Sequence, residues 1–275
     1  MAQFAPVVPL QLAQALQSGN PNKDNLGGYH LLLAHDILDK PRQYQEIYGR
    51  ARKTFDGSFF ILDNSIIELG KAMEIKEMLA AAAILPPDCI VIPDVMGDGA
   101  GTRKNAVKFA RQYAQAAYAQ GTSDVPSLMG VLQGSNVQDI METLGVFYAL
   151  PFVEYIGIPR VITKMLGSRM PTLLAMQRSP AISTPAYSGF KGYHLLGFSD
   201  DIMDDIACCH VPWINGIDSA VLARAAVKGL LLDLNNPEWS NSVGPRGDFW
   251  NWVASDAQLK VIVHNLGEYR RLILN

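Results

Sequence analysis

Three aspartates and one glutamine stand at comparable places in the sequence, each at the end of a short apolar run: Asp63, Asp94, Gln133 and Asp218. A carboxylate at the end of a buried strand costs free energy unless it is paired or takes part in chemistry. A single aspartate at such a place most often caps the helix that follows. Because the polar residues recur at equivalent places, we favour one shared site with carboxylates as nucleophile, general acid or base, or hydrogen-bond acceptor.

The apolar runs recur about every thirty residues and alternate with helical segments, a pattern typical of parallel strands joined by helices. The predicted strands are 29–34, 58–62, 89–92, 128–132, 153–158, 192–196, 212–217 and 229–234. The predicted helices are 41–53, 71–84, 102–120, 137–148, 168–178, 200–208, 220–227 and 248–274. In a closed barrel of parallel strands, the C-terminal strand ends open onto one face, where active sites lie.

This alternation predicts a single-domain (β/α)8 TIM barrel over residues 29–275, including a C-terminal helical segment, after an N-terminal arm at 1–28. The chain has 275 residues, 49% of them hydrophobic, close to the ~250 residues of such a barrel. An open doubly wound sheet is the main alternative. It is disfavoured because no G-x-G-x-x-G follows the first predicted strand. The polar residues at the strand ends are also spread over six strands, whereas an open sheet would gather them at one switch point.

The net charge of −3 excludes a global field that would draw the protein onto nucleic acid. Residues 155–199 nevertheless contain no acid, and their cations are Arg160, Lys164, Arg169, Arg178 and Lys191. This basic strip has two interpretations, a phosphate-contacting surface or a loop-rich stretch that lacks acids, and both remain open.

The cysteines predict buried thiols. Cys89, Cys208 and Cys209 have neither the pairing of a disulfide framework nor the spacing of a zinc site. Residues 1–16 do not resemble a signal peptide, and no run approaches the ~18 apolar residues of a membrane span. We therefore expect a cytoplasmic protein. Inside the sixth predicted strand, His194 is interpreted as a packing residue.

The short segments at the ends of six predicted strands, in their order along residues 59–222, resemble the motifs of a known enzyme family. They read Leu62-Asp63-Asn64-Ser65, Ile92-Pro93-Asp94, Val131-Leu132-Gln133-Gly134, Tyr155-Ile156-Gly157-Ile158, His194-Leu195-Leu196-Gly197 and Gly216-Ile217-Asp218-Ser219-Ala220. These segments resemble the Asp-Ser-Gly-Gly, aspartate, Val-Gln-Gly-Gly, Gly-Leu-Ala-Val, Tyr-Leu-Met-Gly and Phe-Asp-Ser-Ala segments of the tRNA-guanine transglycosylases. The resemblance is closest to their DNA-acting relatives, the phage and bacterial DpdA branch, which exchange guanine in a polynucleotide for a 7-deazaguanine.

The resemblance implies a role for each matching residue. Asp218 would attack C1′ of the nucleotide and hold the sugar covalently, and Asp63 would be the general acid/base. The residues that would contact the base are Asp94, Gln133, Gly134, Gly157, Leu195 and Leu196. Phosphate contacts are predicted for Arg160 and Arg224. The target base would have to leave the helical stack to enter the pocket.

General chemistry is consistent with these roles. Cleavage of an N-glycosidic bond builds positive charge on the sugar, which a carboxylate can stabilise or capture. An aspartate can accept hydrogen bonds from N1 and N2 of guanine, and an amide or backbone N–H can donate to O6 and N7.

Two departures from the motifs of the tRNA enzymes bear on which nucleic acid is the substrate. Asn64 and Ser65 replace the glycine pair, and no cysteine follows Cys209, so the zinc site of the tRNA enzymes is absent. The chain also has little room for an added RNA-binding domain. These losses favour DNA over tRNA and argue against carrying over the family's usual dimer.

We therefore predict a DNA-guanine transglycosylase, a pentosyltransferase that inserts a preQ0-like base without a metal or cofactor and without membrane association. The resemblance implies a phage-encoded protein that acts in the host cytoplasm. The alternatives are an RNA-acting enzyme of the same family and a non-catalytic nucleic-acid-binding paralogue. An unrelated barrel enzyme such as an aldolase would need a Schiff-base lysine, and no predicted strand tip ends in lysine.

Overall fold

The computed structural model describes residues 1–17, 24–120, 125–178, 190–236, 239, 243 and 249–274. Its strands are β1 Gln3–Pro6, β2 Tyr29–Leu33, β3 Phe59–Asp63, β4 Cys89–Val91, β5 Ser127–Val131, β6 Val153–Pro159, β7 Gly192–Leu196 and β8 Ile214–Ser219. They form one eight-stranded sheet in which every hydrogen-bonded neighbour is parallel. The two ends of the sheet order, β1 and β2, lie side by side, so the sheet is a nearly closed barrel. The predicted (β/α)8 architecture is confirmed.

Helices alternate with these strands along the chain. The described α-helices are α1 Leu10–Leu16, α2 Ala34–Asp39, α3 Pro41–Thr54, α4 Ile66–Leu69, α5 Ile75–Ile84, α6 Gly99–Gln120, α7 Val137–Ala149, α8 Val161–Leu166, α9 Met170–Arg178, α10 Ile202–Cys209, α11 Val221–Val227 and α12 Asp256–Leu274. A short 3₁₀ turn at Phe249–Asn251 precedes α12. Asp248, where the last helix was predicted to begin, lies outside the described residues.

The barrel includes a strand that the sequence did not indicate. Residues 1–28 were expected to be an arm, but Gln3–Pro6 pairs with β8, with Gln3 opposite Gly216 and Pro6 opposite Ser219. This strand is only four residues long and contains alanine and proline, so its alternation is too short to recognise. Pro6 is the strand's last residue, and the pairing continues past it with Val7 N–H donating to the Ser219 carbonyl at 3.1 Å.

The prediction of an eighth strand at 229–234 was wrong. This described segment has no strand structure, although Leu230, Leu232 and Leu234 pack against the core. Two of its backbone groups are satisfied by a side chain instead: the Asn265 amide accepts from Leu232 N–H at 2.8 Å and donates to the Leu230 carbonyl at 3.0 Å. The run is apolar because it packs under α12, not because it joins the sheet.

The helices bury the faces that their sequence pattern predicts. On α6 the predicted apolar residues are all buried: Ala106, Phe109, Ala110, Tyr113 and Ala117. The strands are nearly continuous apolar runs, as expected where one face of a sheet meets helices and the other fills the barrel. The core therefore has two layers, inside the barrel and between the sheet and its helices.

We predict that Asn265→Leu strongly destabilises the fold. Asn265 is fully buried and also donates to the Leu222 carbonyl, so leucine would leave one N–H and two carbonyls without their partner. The free energy of unfolding should fall by about 2–4 kcal/mol, measured by urea denaturation. The control is Lys260→Ala at an exposed position of the same helix. Equal, small losses in the two variants would contradict the prediction.

Candidate functional site

A cavity of about 550 Å³ opens at the C-terminal ends of the strands. The last residue of each strand from β2 to β7 lines it: Leu33, Asp63, Val91, Val131, Pro159 and Leu196. Asp218 in β8 and Val7 directly after β1 complete this ring. The volume is within the ~300–1,000 Å³ typical of small-molecule sites. Residues at the ends of all eight strands therefore line a single cavity.

The structure brings most of the predicted site residues to this cavity. Its wall includes Asp63, Asp94, Gln133, Arg160, Leu196, Asp218 and Arg224. Gly134 lies beside it, in a smaller depression of about 290 Å³ that shares Gln133 with the main cavity. Leu195 and Gly157 are buried and do not line either hollow.

Simple geometry explains why Leu195 and Gly157 do not line the cavity. Side chains alternate along a strand, so Leu196 faces the cavity while Leu195 points to the opposite side of the sheet. Gly157 lies behind Leu196, because a Cβ at this glycine would come within 2.6 Å of Leu196 Cδ1. Glycine at 157 thus gives Leu196 room in the wall.

Asp94 is held by two amides. Gln133 donates from Nε2 to Asp94 Oδ2 at 2.7 Å, and Asn64 donates from Nδ2 to Asp94 Oδ1 at 3.1 Å. The remaining Gln133 oxygen accepts from Gly97 N–H at 3.0 Å, which fixes the orientation of the amide. Burial raises the pKa of Asp94, while the two amides oppose the rise. Asp94 is thus a fixed acceptor in the cavity wall, with only 6% of its surface exposed.

Asp218 is held through one of its two oxygens. His194 Nε2 lies 3.0 Å from Asp218 Oδ1, and Gly197 N–H donates to the same oxygen at 3.0 Å. Among the described residues, no hydrogen bond reaches Oδ2, although the side chain lines the cavity. One oxygen is therefore anchored and the other is available to a ligand. His194, which was interpreted as a packing residue, is buried as expected, but its ring also contacts this carboxylate directly.

Asp63 is the acid whose proton affinity is most changed. Its Oδ2 accepts from Ser65 N–H at 2.8 Å, across a turn in which Ser65 has the left-handed φ of 59°. Burial and the negative charges of Glu68, Asp218 and Asp94 raise the Asp63 pKa from its usual 3.8 to about 8, against the lowering effect of the Ser65 contact. Asp63 therefore carries a proton at neutral pH and can donate it inside the cavity.

The left-handed backbone at Ser65 costs free energy for any residue except glycine. This is one of the two positions at which the motif that the segment resembles has glycine. Asn64 compensates by capping the turn, since its Oδ1 accepts from Ile66 N–H at 3.0 Å.

The cavity is acidic at depth and basic at its rim. Asp94 and Asp218 are buried, whereas Arg160 and Lys164 are exposed at the edge of the wall and Arg224 is half-buried. The proposed basic strip is not continuous. Arg169 is completely buried, and Lys191 pairs with Glu154 at 2.6 Å near the opposite, N-terminal ends of the strands.

Arg169 has a structural task beside the site. It forms an ion pair with Asp205 at 2.8 Å, with both side chains completely buried. Its other terminal nitrogen donates to the carbonyls of Leu196 and Gly197 at 2.7 and 2.5 Å. The end of β7, which supplies the N–H that holds Asp218, is thereby fixed from behind.

Several residues of the site were given no specific role there from the sequence, although Lys164 and Arg169 were noted as cations of the basic strip. They are Tyr29, Asn64, Lys164, Arg169 and His194 in its hydrogen-bonding role. One available signal was the alternation in β7, since His194 and Leu196 must share a face if Leu196 lines the cavity. The pairing of Arg169 with Asp205 gave no signal, because Arg169 lies in the bend before α9 and Asp205 lies on α10, and the sequence does not specify how these segments pack.

The cysteine prediction is confirmed, since Cys89, Cys208 and Cys209 are free and buried. Within the described ranges, no cluster of three or more His, Cys, Asp or Glu side chains is suited to hold a metal ion. No helix in the described part of the chain is both long and apolar enough to cross a bilayer.

Comparison of the chain with models of known protein families gave no match, and a search of curated proteins found no similar one. Function must therefore be inferred from the cavity and from the motifs that line it. Chemically, the arrangement combines an anchored carboxylate with an available oxygen, a protonated carboxyl group and a fixed acceptor with amide partners.

We predict that Asp63 makes the stability of the protein depend on pH. Between pH about 4 and about 8 the folded state keeps a proton on Asp63 that the unfolded state has lost. Stability from this group therefore decreases as the pH rises through that window. Asp63→Asn removes the effect. The Tm of this variant minus the Tm of the wild type, measured by calorimetry, should therefore increase with pH up to about 8.

The control for this experiment is Asp56→Asn, which removes an exposed acid outside the cavity. A constant Tm difference between Asp63→Asn and the wild type across the window would contradict the shifted pKa.

Proposed function

We propose that this protein is a transglycosylase that exchanges guanine in DNA for a 7-deazaguanine base such as preQ0. One observation carries the proposal: Asp63, Asp94, Gln133 and Asp218, which lie far apart in the sequence, line the same cavity at the barrel mouth. They are the residues to which the motif resemblance gives the catalytic and base-binding roles. The deaza base is chosen over other purines on that resemblance alone.

The first half of the reaction is a displacement at C1′ of the deoxyribose. Asp218 Oδ2 forms a bond to C1′ while the bond from C1′ to N9 of guanine breaks. Asp63 gives its proton to the departing base, which its raised pKa of about 8 makes possible at neutral pH. The products of this step are free guanine and a sugar ester on Asp218, with Asp63 ionised.

The second half reverses these roles. The incoming base gives its N9 proton to Asp63, N9 attacks C1′, and the bond from C1′ to Asp218 breaks. Two displacements retain the configuration at C1′. Both carboxyl groups return to their initial states, so the exchange needs no redox partner or metal.

Asp94 is proposed to recognise the base. Each of its oxygens accepts one hydrogen bond from a side-chain amide, which leaves lone pairs for the N1 and N2 donors of a guanine-like base. A 7-deazaguanine keeps these donors and lacks only the N7 acceptor. Leu196 and Val131 supply apolar surface for the ring.

The rim of the cavity suits the sugar–phosphate backbone. Arg160, Lys164 and Arg224 place positive charge at the entrance, above the buried acids. A polynucleotide whose target base has been flipped out would present its phosphates at this level. Because the net charge of −3 gives the whole protein no attraction for DNA, a local basic patch would have to supply it.

We predict that the protein incorporates labelled guanine or preQ0 into duplex DNA, detected by mass spectrometry of the nucleosides. Asp218→Ala should lower incorporation by about 10⁴-fold or more, because the nucleophile is lost. Asp63→Asn should lower it by about 10²–10⁴-fold, because proton transfer is lost. Asp56→Asn, at an exposed position outside the cavity, is the matched control.

The same assay decides between the alternatives. Incorporation into an RNA transcript and not into DNA would identify an RNA-acting enzyme. Binding of DNA and base without any incorporation by the wild type would refute the proposed exchange and leave a nucleic-acid-binding protein.

A second prediction concerns the covalent intermediate. Without added base, the wild type should form a DNA adduct that survives a denaturing gel, and added guanine should discharge it. Asp218→Asn should form no adduct, because its amide is a poor nucleophile. An adduct of equal yield in that variant would move the covalent step to another residue.

A further inference from the structure

A chain of buried side chains leads from the barrel interior to Asp218. Tyr29 Oη lies 2.9 Å from His194 Nδ1, and His194 Nε2 lies 3.0 Å from Asp218 Oδ1. Tyr29 and His194 are 5% and 1% exposed, so water does not compete for these contacts. Neither residue has a role in the base exchange described above.

The position of Tyr29 is built into the barrel. Its ring stacks on Phe59, with centroids 5.6 Å apart and an interplanar angle of 14°. Gly216 leaves the space for it, because a Cβ at that position would lie 2.5 Å from Tyr29 Cε1. The hydroxyl is thus fixed opposite His194 by the packing of the ring.

For a neutral imidazole, the hydrogen-bond donors and acceptors along the chain allow one consistent direction. A phenol has a proton to give, and burial raises the pKa of Tyr29 well above its ordinary value, so this proton stays in place. If Tyr29 donates to Nδ1, a neutral imidazole carries its proton on Nε2 and donates it to Asp218. The hydrogen bond at one ring nitrogen sets the state of the other.

The opposite tautomer is disfavoured by the same contacts. A proton on Nδ1 would leave a lone pair on Nε2 facing Asp218 Oδ1, which also accepts from Gly197 N–H. That arrangement would require an additional proton on the carboxyl group. A doubly protonated imidazole would still donate from Nε2, so the contact with Asp218 survives a change in the charge of the ring.

We propose that Tyr29 and His194 are positioning residues for Asp218: Tyr29 fixes His194 as the Nε2–H donor, and His194 holds Oδ1 so that Oδ2 faces the sugar carbon. The part that concerns the sugar rests on the proposed function. The part that concerns the tautomer and the rotamer of Asp218 does not, and it can be measured without an activity assay.

Three variants separate the steps of the chain. The amide nitrogen of His194→Gln can lie near the position of Nε2 and still donate to Asp218, whereas His194→Phe fills the space without a donor. Tyr29→Phe keeps the stacked ring and removes only the hydroxyl. His210→Gln changes an exposed histidine outside the cavity and serves as the control.

The first measurement is the tautomer of His194 by ¹⁵N nuclear magnetic resonance of the imidazole rings. The signals of His194 are identified by their loss in His194→Gln. The wild type should show a protonated Nε2 and an unprotonated, hydrogen-bonded Nδ1. Tyr29→Phe should lose the hydrogen-bond shift at Nδ1. A wild-type ring that is protonated only at Nδ1 overturns the proposal.

The second measurement is the kinetics of base exchange. His194→Phe should lower kcat by roughly 100-fold, the scale expected when a reacting group is misplaced by about 1 Å. The KM for the base should change little, because the base contacts Asp94 and not Asp218. His194→Gln should recover most of the lost kcat. Equal kcat in His194→Phe and the wild type, or equal losses in both variants, overturns the positioning role.

The third measurement keeps this proposal separate from the proposed function. Crystal structures should show Asp218 in the wild-type rotamer in His194→Gln and rotated away from it in His194→Phe. If the wild type exchanges no base, the proposed function fails and the rotamers alone decide the positioning role. An unchanged Asp218 rotamer in His194→Phe overturns it.

Discussion

The site depends on one constraint: each polar side chain buried at the barrel mouth must find a partner on a neighbouring strand end. Parallel strands bring their C-terminal residues to one face, so polar residues at these positions cannot avoid one another. Asp94 is satisfied by Asn64 and Gln133, from the adjoining tips of β3 and β5, and Asp218 by groups of β7. The register of the sheet thus determines which groups meet, and the acids are held in place before any ligand arrives.

The three aspartates share a cavity but have different surroundings, and this difference allows different tasks. Asp94 accepts from two amides, Asp218 from an imidazole and a backbone N–H, and Asp63 from one backbone N–H beside the other acids. Burial and the neighbouring negative charges raise the pKa of Asp63 to about 8, and its single N–H contact offsets only part of the rise. Paired carboxyl groups whose environments separate their proton affinities are a general basis of acid–base chemistry at neutral pH.

Much of the architecture could be predicted from the sequence, because buried parallel strands and amphipathic helices leave strong patterns. Strands β2 to β8 were placed to within about two residues. Strand β1 was missed because four residues are too few to show an alternating pattern. Residues 229–234 were predicted as a strand because their apolar composition does not show that Asn265 bonds to their backbone. In the site, the residues at strand ends were found, since one polar residue after an apolar run is conspicuous. The supporting residues, Tyr29, His194 and Arg169, were not, because each acts through a contact between elements distant in sequence.

The pairing of β1 with β8 has a consequence for biosynthesis. The register that joins Gln3 to Gly216 cannot form until the ribosome has released the chain beyond β8, so the first strand waits unpaired while the others assemble. The acid at position 218 belongs to this last strand. A nascent or N-terminally clipped polypeptide therefore lacks the strand that closes the barrel, and the hollow should be complete only after the final topological step of folding.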